Sequence, residues 1–294
     1  MKNSIGKMNE LVACFLALFG LLILIAPSRV VFRADAQPRD LAEKKLSVSD
    51  EMPKVSTTEK NTALNLAEKD RRQIEKLIAD ARSQDGIGAK MKLISARLLG
   101  LSYIVQPLKG SLTTPEEFVV RLDGFDCVTY IETVLALAGA QDVNSFLNRL
   151  RTLRYANGEV SYATRLHYTT DWSKANIQRG YLQDVTQGAE TVERTKVLSK
   201  LAGFQSRTES FRFFPKAQLN AIKETLQDGD LIYFVSARQG LDTYHVGLLL
   251  WVGDQLVMRH AARSQHKAVE QPLADFIKAN RMSGFIVARP LEHK

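Results

Sequence analysis

The chain has 294 residues, 45% of them hydrophobic and 24% charged, proportions that belong to a folded globular protein and exclude a disordered polar chain. Its formal net charge of +8 is spread out, with no long lysine or arginine block. That pattern suits loose attraction to an anionic polymer or membrane surface and argues against a nucleic-acid groove.

Lys2 and Lys7 open the chain, Leu11 to Pro27 is almost wholly apolar, and Ala34-Asp35-Ala36 gives a small-x-small site before Gln37. This is the pattern of an export signal, so residues 1–36 are read as a signal peptide, the alternative being an N-terminal anchor that keeps residues 11–27 as a membrane tether. Either way the protein is expected to be exported, to the periplasm or another extracytoplasmic site. The first 36 residues supply +2 of the charge (Lys2, Lys7, Arg29 and Arg33 against Glu10 and Asp35), leaving +6 for the remainder. Residues 37–60 are polar and charged and read as a flexible linker. The folded domain is expected over 61–294.

Apolar positions at helical spacing predict one helix from Asn61 to Arg82 and a second through Met91, Ile94, Leu98 and Leu99, closed by Gly100. From Asp126 to Ala138 apolar residues occupy most faces, which predicts a helix in the core. Leu147, Leu150 and Leu153 mark another, followed by a hairpin turn at Asn157-Gly158. Beyond residue 228 the pattern becomes short apolar runs rich in β-branched and aromatic residues: Leu231 to Val235, His245 to Trp251, Gln255 to Met258 and Phe285 to Ala288. Turns at Asp228-Gly229 and Gly253-Asp254 separate them. Helices followed by an antiparallel sheet make an α+β fold.

Two cysteines are present, and Cys14 lies in the export segment. Cys127 is then a single thiol without a disulfide partner, either a reactive group or a buried apolar filler. It follows Asp126, the natural N-cap of the core helix, so the positive end of the helix would favour its thiolate. A nucleophile also needs a base. His245 stands at a strand mouth, and His260 lies on the next strand across the Gly253-Asp254 turn. Pairing of these strands as a hairpin brings the two histidines close to opposite each other, permitting a Cys127–His245–His260 relay in which His260 orients the base. Zinc binding is the competing use of such residues, but no short Cys-x-x-Cys or His-x-x-x-His spacing exists, so no metal is expected. Serine-hydrolase elbows, Walker loops and dinucleotide glycine patterns are absent.

Taken in order, Leu99 to Tyr103, Leu122-Asp-Gly-Phe-Asp-Cys-Val-Thr-Tyr-Ile-Glu132, Thr164-Arg-Leu-His-Tyr-Thr-Thr-Asp-Trp172, Asp228-Gly-Asp-Leu-Ile232, Tyr244-His-Val-Gly247 and Arg259-His-Ala261 resemble the N-acetylmuramoyl-L-alanine amidase-like branch of the NlpC/p60 superfamily. The resemblance implies a papain-like fold with N-terminal helices on an antiparallel sheet. It implies a cysteine amidase in which Cys127 attacks, His245 is the base and His260 orients it, with no cofactor. The substrate it implies is peptidoglycan or a muropeptide fragment, cut at the bond joining the muramic acid lactyl group to L-alanine. Rival readings are an endopeptidase cutting between D-glutamate and the diamino acid of the stem, and a non-catalytic wall-binding module. Arg165, His167, Tyr168, Asp171 and Trp172 form a motif of this branch and are expected to wall a sugar or carboxylate-bearing peptide, together with Tyr103 and Asp126. The alternative is that Trp172 and Tyr168 pack the core and Arg165 caps a strand end. The chain departs from the family pattern at Leu101-Ser102-Tyr103, where Thr-Pro-Tyr is usual, and at Ala262-Arg263, where small polar residues are usual.

Overall fold

Most of the helix comes before the main strands, as the change in hydrophobic period requires, although two short strands precede the helix at Cys127 and one helix follows the strand Lys267–Pro272. The computed structural model describes residues 66–292, so the expectations for 1–36 and 37–60 lie outside the described residues. Helix α1 (Glu68–Ala81) places Ile74, Leu77, Ile78 and Ala81 on one buried stripe. Helix α2 (Ile87–Arg97) buries Met91 and Ile94. Helices α3 (Cys127–Ala138) and α4 (Val143–Arg154) complete the packed group. Both of the latter start with a capping box, Asp126 with Thr129 and Asp142 with Ser145, which satisfies amide donors that a helix start otherwise leaves open.

The sheet runs in the order β2 (Gly124–Phe125), β1 (Ser102–Tyr103), β9 (Lys267–Pro272), β8 (Gln255–Ala262), β7 (Thr243–Val252), β6 (Leu231–Val235), β10 (Gly284–Pro290), β5 (Arg207–Pro215), β4 (Val192–Leu198), with β3 (Leu182–Asp184) on the far part of β10. The pairings are antiparallel except β1 with β2, which is parallel. The architecture is α+β. Strands β6 to β8 are buried on both sides, which explains their unbroken apolar runs. Leu231, Tyr233, Val246, Leu248 and Leu250 face the helices. After α5 (Thr169–Gln178) and the short α6 (Leu219–Ile222), α7 (Leu273–Ala279) builds a second cluster through Leu273, Phe276 and Ile277, which Ile232, Phe234, Leu249 and Met258 face. Arg259 joins the sheet to α2, donating to the Lys92 carbonyl at 2.6 Å and Ser95 Oγ at 2.9 Å while pairing with Glu270 at 2.7 Å.

Both expected turns are present. Gly253 takes φ +58 in the two-residue turn between Val252 and Gln255. Gly229 takes φ +96, and a Cβ there would stand 2.8 Å from the Gly88 Cα, so glycine is required on both counts. The hairpin expected at Asn157-Gly158 is corrected. Those residues form a short 3-10 turn, and only the single bridge from Tyr155 to Arg165 closes the loop around them. Asn157 adopts the left-handed conformation that the dipeptide favours, but no strands flank it. Strands β1 to β5 and β9 lie outside the four apolar runs read as strands. In β5 the buried Glu209, Phe211 and Phe213 alternate with the exposed Thr208, Ser210 and Arg212, a period-2 pattern that strand reading could have found only in part, because Glu209 is charged.

Candidate active site

Local chemistry fixes the start of α3. Asp126 has extended backbone and accepts the Thr129 N–H at 2.8 Å, while Thr129 Oγ1 accepts the Asp126 N–H at 3.0 Å. Cys127 is therefore the first helical residue. The helix packs on β7 and β8, and its N-terminus meets the end of their hairpin where β7 begins and β8 ends.

A bulge shapes that end. Phe234 pairs with His245 and Val235 with Thr243, which leaves Tyr244 as an extra residue in β7. Bulges re-aim side chains, and here the consecutive residues Tyr244 and His245 line the same cleft, of about 480 Å³, with Cys127, Tyr103, His260 and Arg263. His245 Nε2 lies 2.6 Å from His260 Nδ1. The two are not directly opposite, since the ladder pairs Leu248 with Arg259 and the register carried onward sets His245 across from Ala262. They meet on the diagonal, which long side chains can span. Phe276 from α7 stacks on His245 with ring centres 5.4 Å apart and meets His260 edge-on at 5.5 Å.

This packing decides the charge states. Burial pushes His245 down from 6.5 to about 3, with His260 adding to the fall, and burial pushes His260 down to about 4. The Cys127 thiol is pushed up to about 12 by burial and then by the negative charge of Asp126, against the pull of the backbone N–H groups of Val246, Cys127 and Val128. Both shifts favour the uncharged forms, a thiol and an imidazole on one cleft. The expected dipole-stabilised thiolate is thus corrected: a half-charge at a helix end is outweighed by desolvation and an adjacent carboxylate. Tyr103 is also raised to about 12, by burial and then by Cys127 and Asp126.

A second cavity of about 440 Å³ lies beside the first, with Asp126 on its wall and Arg165, His167, Tyr162 and Gln106 around it. Arg165 pairs with the buried Glu116 at 3.0 Å and lies over the Tyr162 ring at 4.9 Å. His167 Nε2 lies 2.8 Å from the Tyr162 carbonyl oxygen.

A family model described as AmiA-like, N-acetylmuramoyl-L-alanine amidase-like, matches residues 93–285. The chain belongs to that family. Among solved structures it is similar to an N-acetylmuramoyl-L-alanine amidase from Bacteroides uniformis, at 27% identity and TM-score 0.64, covering 70% of this chain and 99% of that one. It shares a fold with protein LPG0564 from Legionella pneumophila, at 24% identity and TM-score 0.68, covering 76% of this chain and 95% of that one. A protein described as a putative xylanase from Bacteroides fragilis also shares it, at 24% identity and TM-score 0.59, covering 66% of this chain and 98% of that one. No curated protein matches the chain.

The AmiA-like motif around residues 164–172 divides in space. Arg165 and His167 face the second cavity, but Trp172 is 1% exposed and its indole donates to Glu132 at 3.1 Å, inside the core. Tyr168 is buried, its hydroxyl accepting the Lys200 N–H at 3.0 Å, and Asp171 pairs with Arg207. Burial takes Trp172 and Tyr168 away from the cleft, as the core-packing alternative holds. Glu132 also pairs with Arg154 at 2.8 Å, both side chains almost wholly buried. Three residues of the site were not anticipated: Tyr244, Phe276 and Gln271, whose amide lies 3.0 Å from His260 Nε2. Only Tyr244 had a local signal, as an aromatic next to His245.

Proposed function

We propose that this AmiA-like chain is a cysteine amidase of the papain-like NlpC/p60 type that hydrolyses the amide between the muramic acid lactyl group and L-alanine in peptidoglycan or its fragments. The observation that carries the reading is the convergence of Cys127, His245 and His260 on one cleft, with the histidine pair at 2.6 Å. Family membership supplies the substrate class, and the name of the Bacteroides uniformis structure agrees with it.

The neutral resting pair gives the order of events. His245 takes the thiol proton as Cys127 Sγ bonds to the amide carbon, so charge develops only as the substrate arrives. The carbonyl oxygen becomes an oxyanion, for which the N–H groups of Cys127 and Val128 are the nearest donors of the helix start. The C–N bond then breaks, and the proton on His245 passes to the leaving amine of L-alanine. Water next attacks the thioester, giving a proton to His245, and the lactyl carboxylate leaves as the thiol is restored. Arg165 and His167 line the neighbouring cavity; burial keeps His167 below its ordinary pKa, so Arg165, already paired with Glu116, is the group there that a peptide carboxylate would approach. The charged start, apolar run and Ala34-Asp35-Ala36 site support export of the protein.

The test is digestion of defined muropeptides by the parent protein and by Cys127→Ser, with products identified by mass spectrometry. The expected products are free muramic-acid sugar and a peptide beginning at L-alanine, with turnover reduced by more than about 10²-fold in the variant. Sugar still bearing L-alanine and glutamate would mark an endopeptidase instead. Near-parental turnover by Cys127→Ser would exclude the cysteine mechanism.

A further inference from the structure

The reading of Cys127, His245 and His260 as one catalytic group extends by one residue. Strand β9 sets Val269 opposite His260 and Gln271 opposite Met258. Gln271 is thus two positions along from the rung of His260, on the same face of the pleat. A chain of contacts crosses three strands: His245 Nε2 to His260 Nδ1 at 2.6 Å, then His260 Nε2 to the Gln271 amide at 3.0 Å.

Counting hydrogens along this chain restricts what each ring can do. A neutral imidazole carries one N–H, so each histidine donates on one side and accepts on the other. If the Gln271 N–H donates to His260 Nε2, His260 holds its hydrogen on Nδ1 and donates it to His245 Nε2. His245 then carries its own hydrogen on Nδ1 and has no lone pair left for a thiol. If the Gln271 oxygen faces His260, every polarity reverses. His260 Nε2–H donates to Gln271 Oε1, His245 Nε2–H donates to His260 Nδ1, and His245 Nδ1 becomes a free base. The imidazolium formed after proton transfer needs this second arrangement too, because it donates from both nitrogens and His260 must accept.

We propose that Gln271 is a positioning residue that sets the tautomers of both histidines, and that rotation of its terminal amide turns His245 from a blocked ring into a base. The structure places the amide nitrogen on His260, which is the blocked arrangement. An amide serves here because it offers a donor and an acceptor on one pivot at little cost to either orientation. The other titratable or charged groups around the cleft are Tyr103 from β1, Asp126 at the helix cap, Tyr244 from β7 and Arg263 beyond β8. From α7 the cleft receives Phe276, and beyond it Asn280, both neutral. Glu270 is on the opposite face of β9, paired with Arg259.

The experiment uses the full chain with Gln271→Glu, which only accepts, and Gln271→Met, which does neither at similar length. Gln271 is partly exposed, so a carboxylate is tolerable there, and thermal melting checks folding in both. The first readout is the pH profile of Cys127 alkylation by iodoacetamide without substrate. Gln271→Glu is expected to move its midpoint down by about one pH unit, because the carboxylate holds the base in its active tautomer and favours the imidazolium. The second readout is nitrogen-15 NMR of the histidines: the parent shows His245 hydrogenated on Nδ1, and Gln271→Glu shows it on Nε2. Gln271→Met is expected to lower kcat about tenfold, the usual size of such support, with KM changed less than about twofold. Unchanged alkylation and unchanged tautomers in both folded variants would overturn the proposal, as would a fall in activity without any change of tautomer. Failure of the underlying reading would show separately, as undiminished turnover by Cys127→Ser or as products other than free muramic-acid sugar from the parent.

Discussion

Replacing His260 by asparagine should change how stability depends on pH, by an amount that the structure sets. His260 is 2% exposed, and burial pushes it from 6.5 to about 4. In the unfolded chain the ring takes a proton once the pH drops below its ordinary value; in the folded chain it stays neutral until near the lower one. Between those limits the unfolded state binds more protons, so stability falls as the pH falls. At about pH 5 the unfolded ring is about 1.5 pH units below its ordinary pKa, and at 1.36 kcal/mol per unit this is about 2 kcal/mol. Above about pH 7.5 both states are neutral and the difference vanishes. The parent protein is therefore expected to lose about 2 kcal/mol more than His260→Asn between these two conditions. Urea unfolding followed by tryptophan fluorescence measures it, and carboxylates common to both proteins cancel in the comparison. Equal losses in parent and variant would refute the claim that burial holds His260 neutral.

The remaining expectations follow from single contacts. Turnover on one muropeptide should fall as severely for His245→Ala as for Cys127→Ser, least for His260→Asn, whose amide oxygen still accepts from His245, and to an intermediate degree for His260→Ala; a larger loss at His260 than at His245 would mean that the base is on the other strand. Asp126→Ala removes the cap of α3 and should cost about 1 kcal/mol, read as a lower thermal midpoint. Glu132→Ala leaves the Arg154 guanidinium buried without its partner and frees the Trp172 indole, so a loss of about 3–5 kcal/mol in urea unfolding is expected.

What the sequence determined by itself is what short-range bonding and periodicity encode. Asp126 could be read as a cap because capping needs only residues within one turn, and it set Cys127 in the first turn of a core helix. The Gly253-Asp254 turn joins β7 to β8, and a tight turn between two apolar runs is enough to put the two histidines on adjacent strands. The helix-then-sheet order was legible for the same reason. Asn157-Gly158 shows the limit of that reading: the dipeptide adopts its favoured left-handed bend, but a hairpin needs flanking strands that the surrounding chain does not supply. Strands β4 and β5 give no apolar run to read, because most of their positions are polar or charged and their buried positions include Lys196 and Glu209. Only the tertiary structure decided the rest. The bulge at Tyr244, the stacking of Phe276 and the reach of Gln271 to His260 depend on register between strands far apart in sequence. The burial of Trp172 and Tyr168, within a motif that also exposes Arg165 and His167 to a cavity, depends on how one helix docks. The neutral resting state of Cys127 and His245 reversed the expectation from the helix end, because desolvation is a property of everything packed around a group and no stretch of sequence carries it alone.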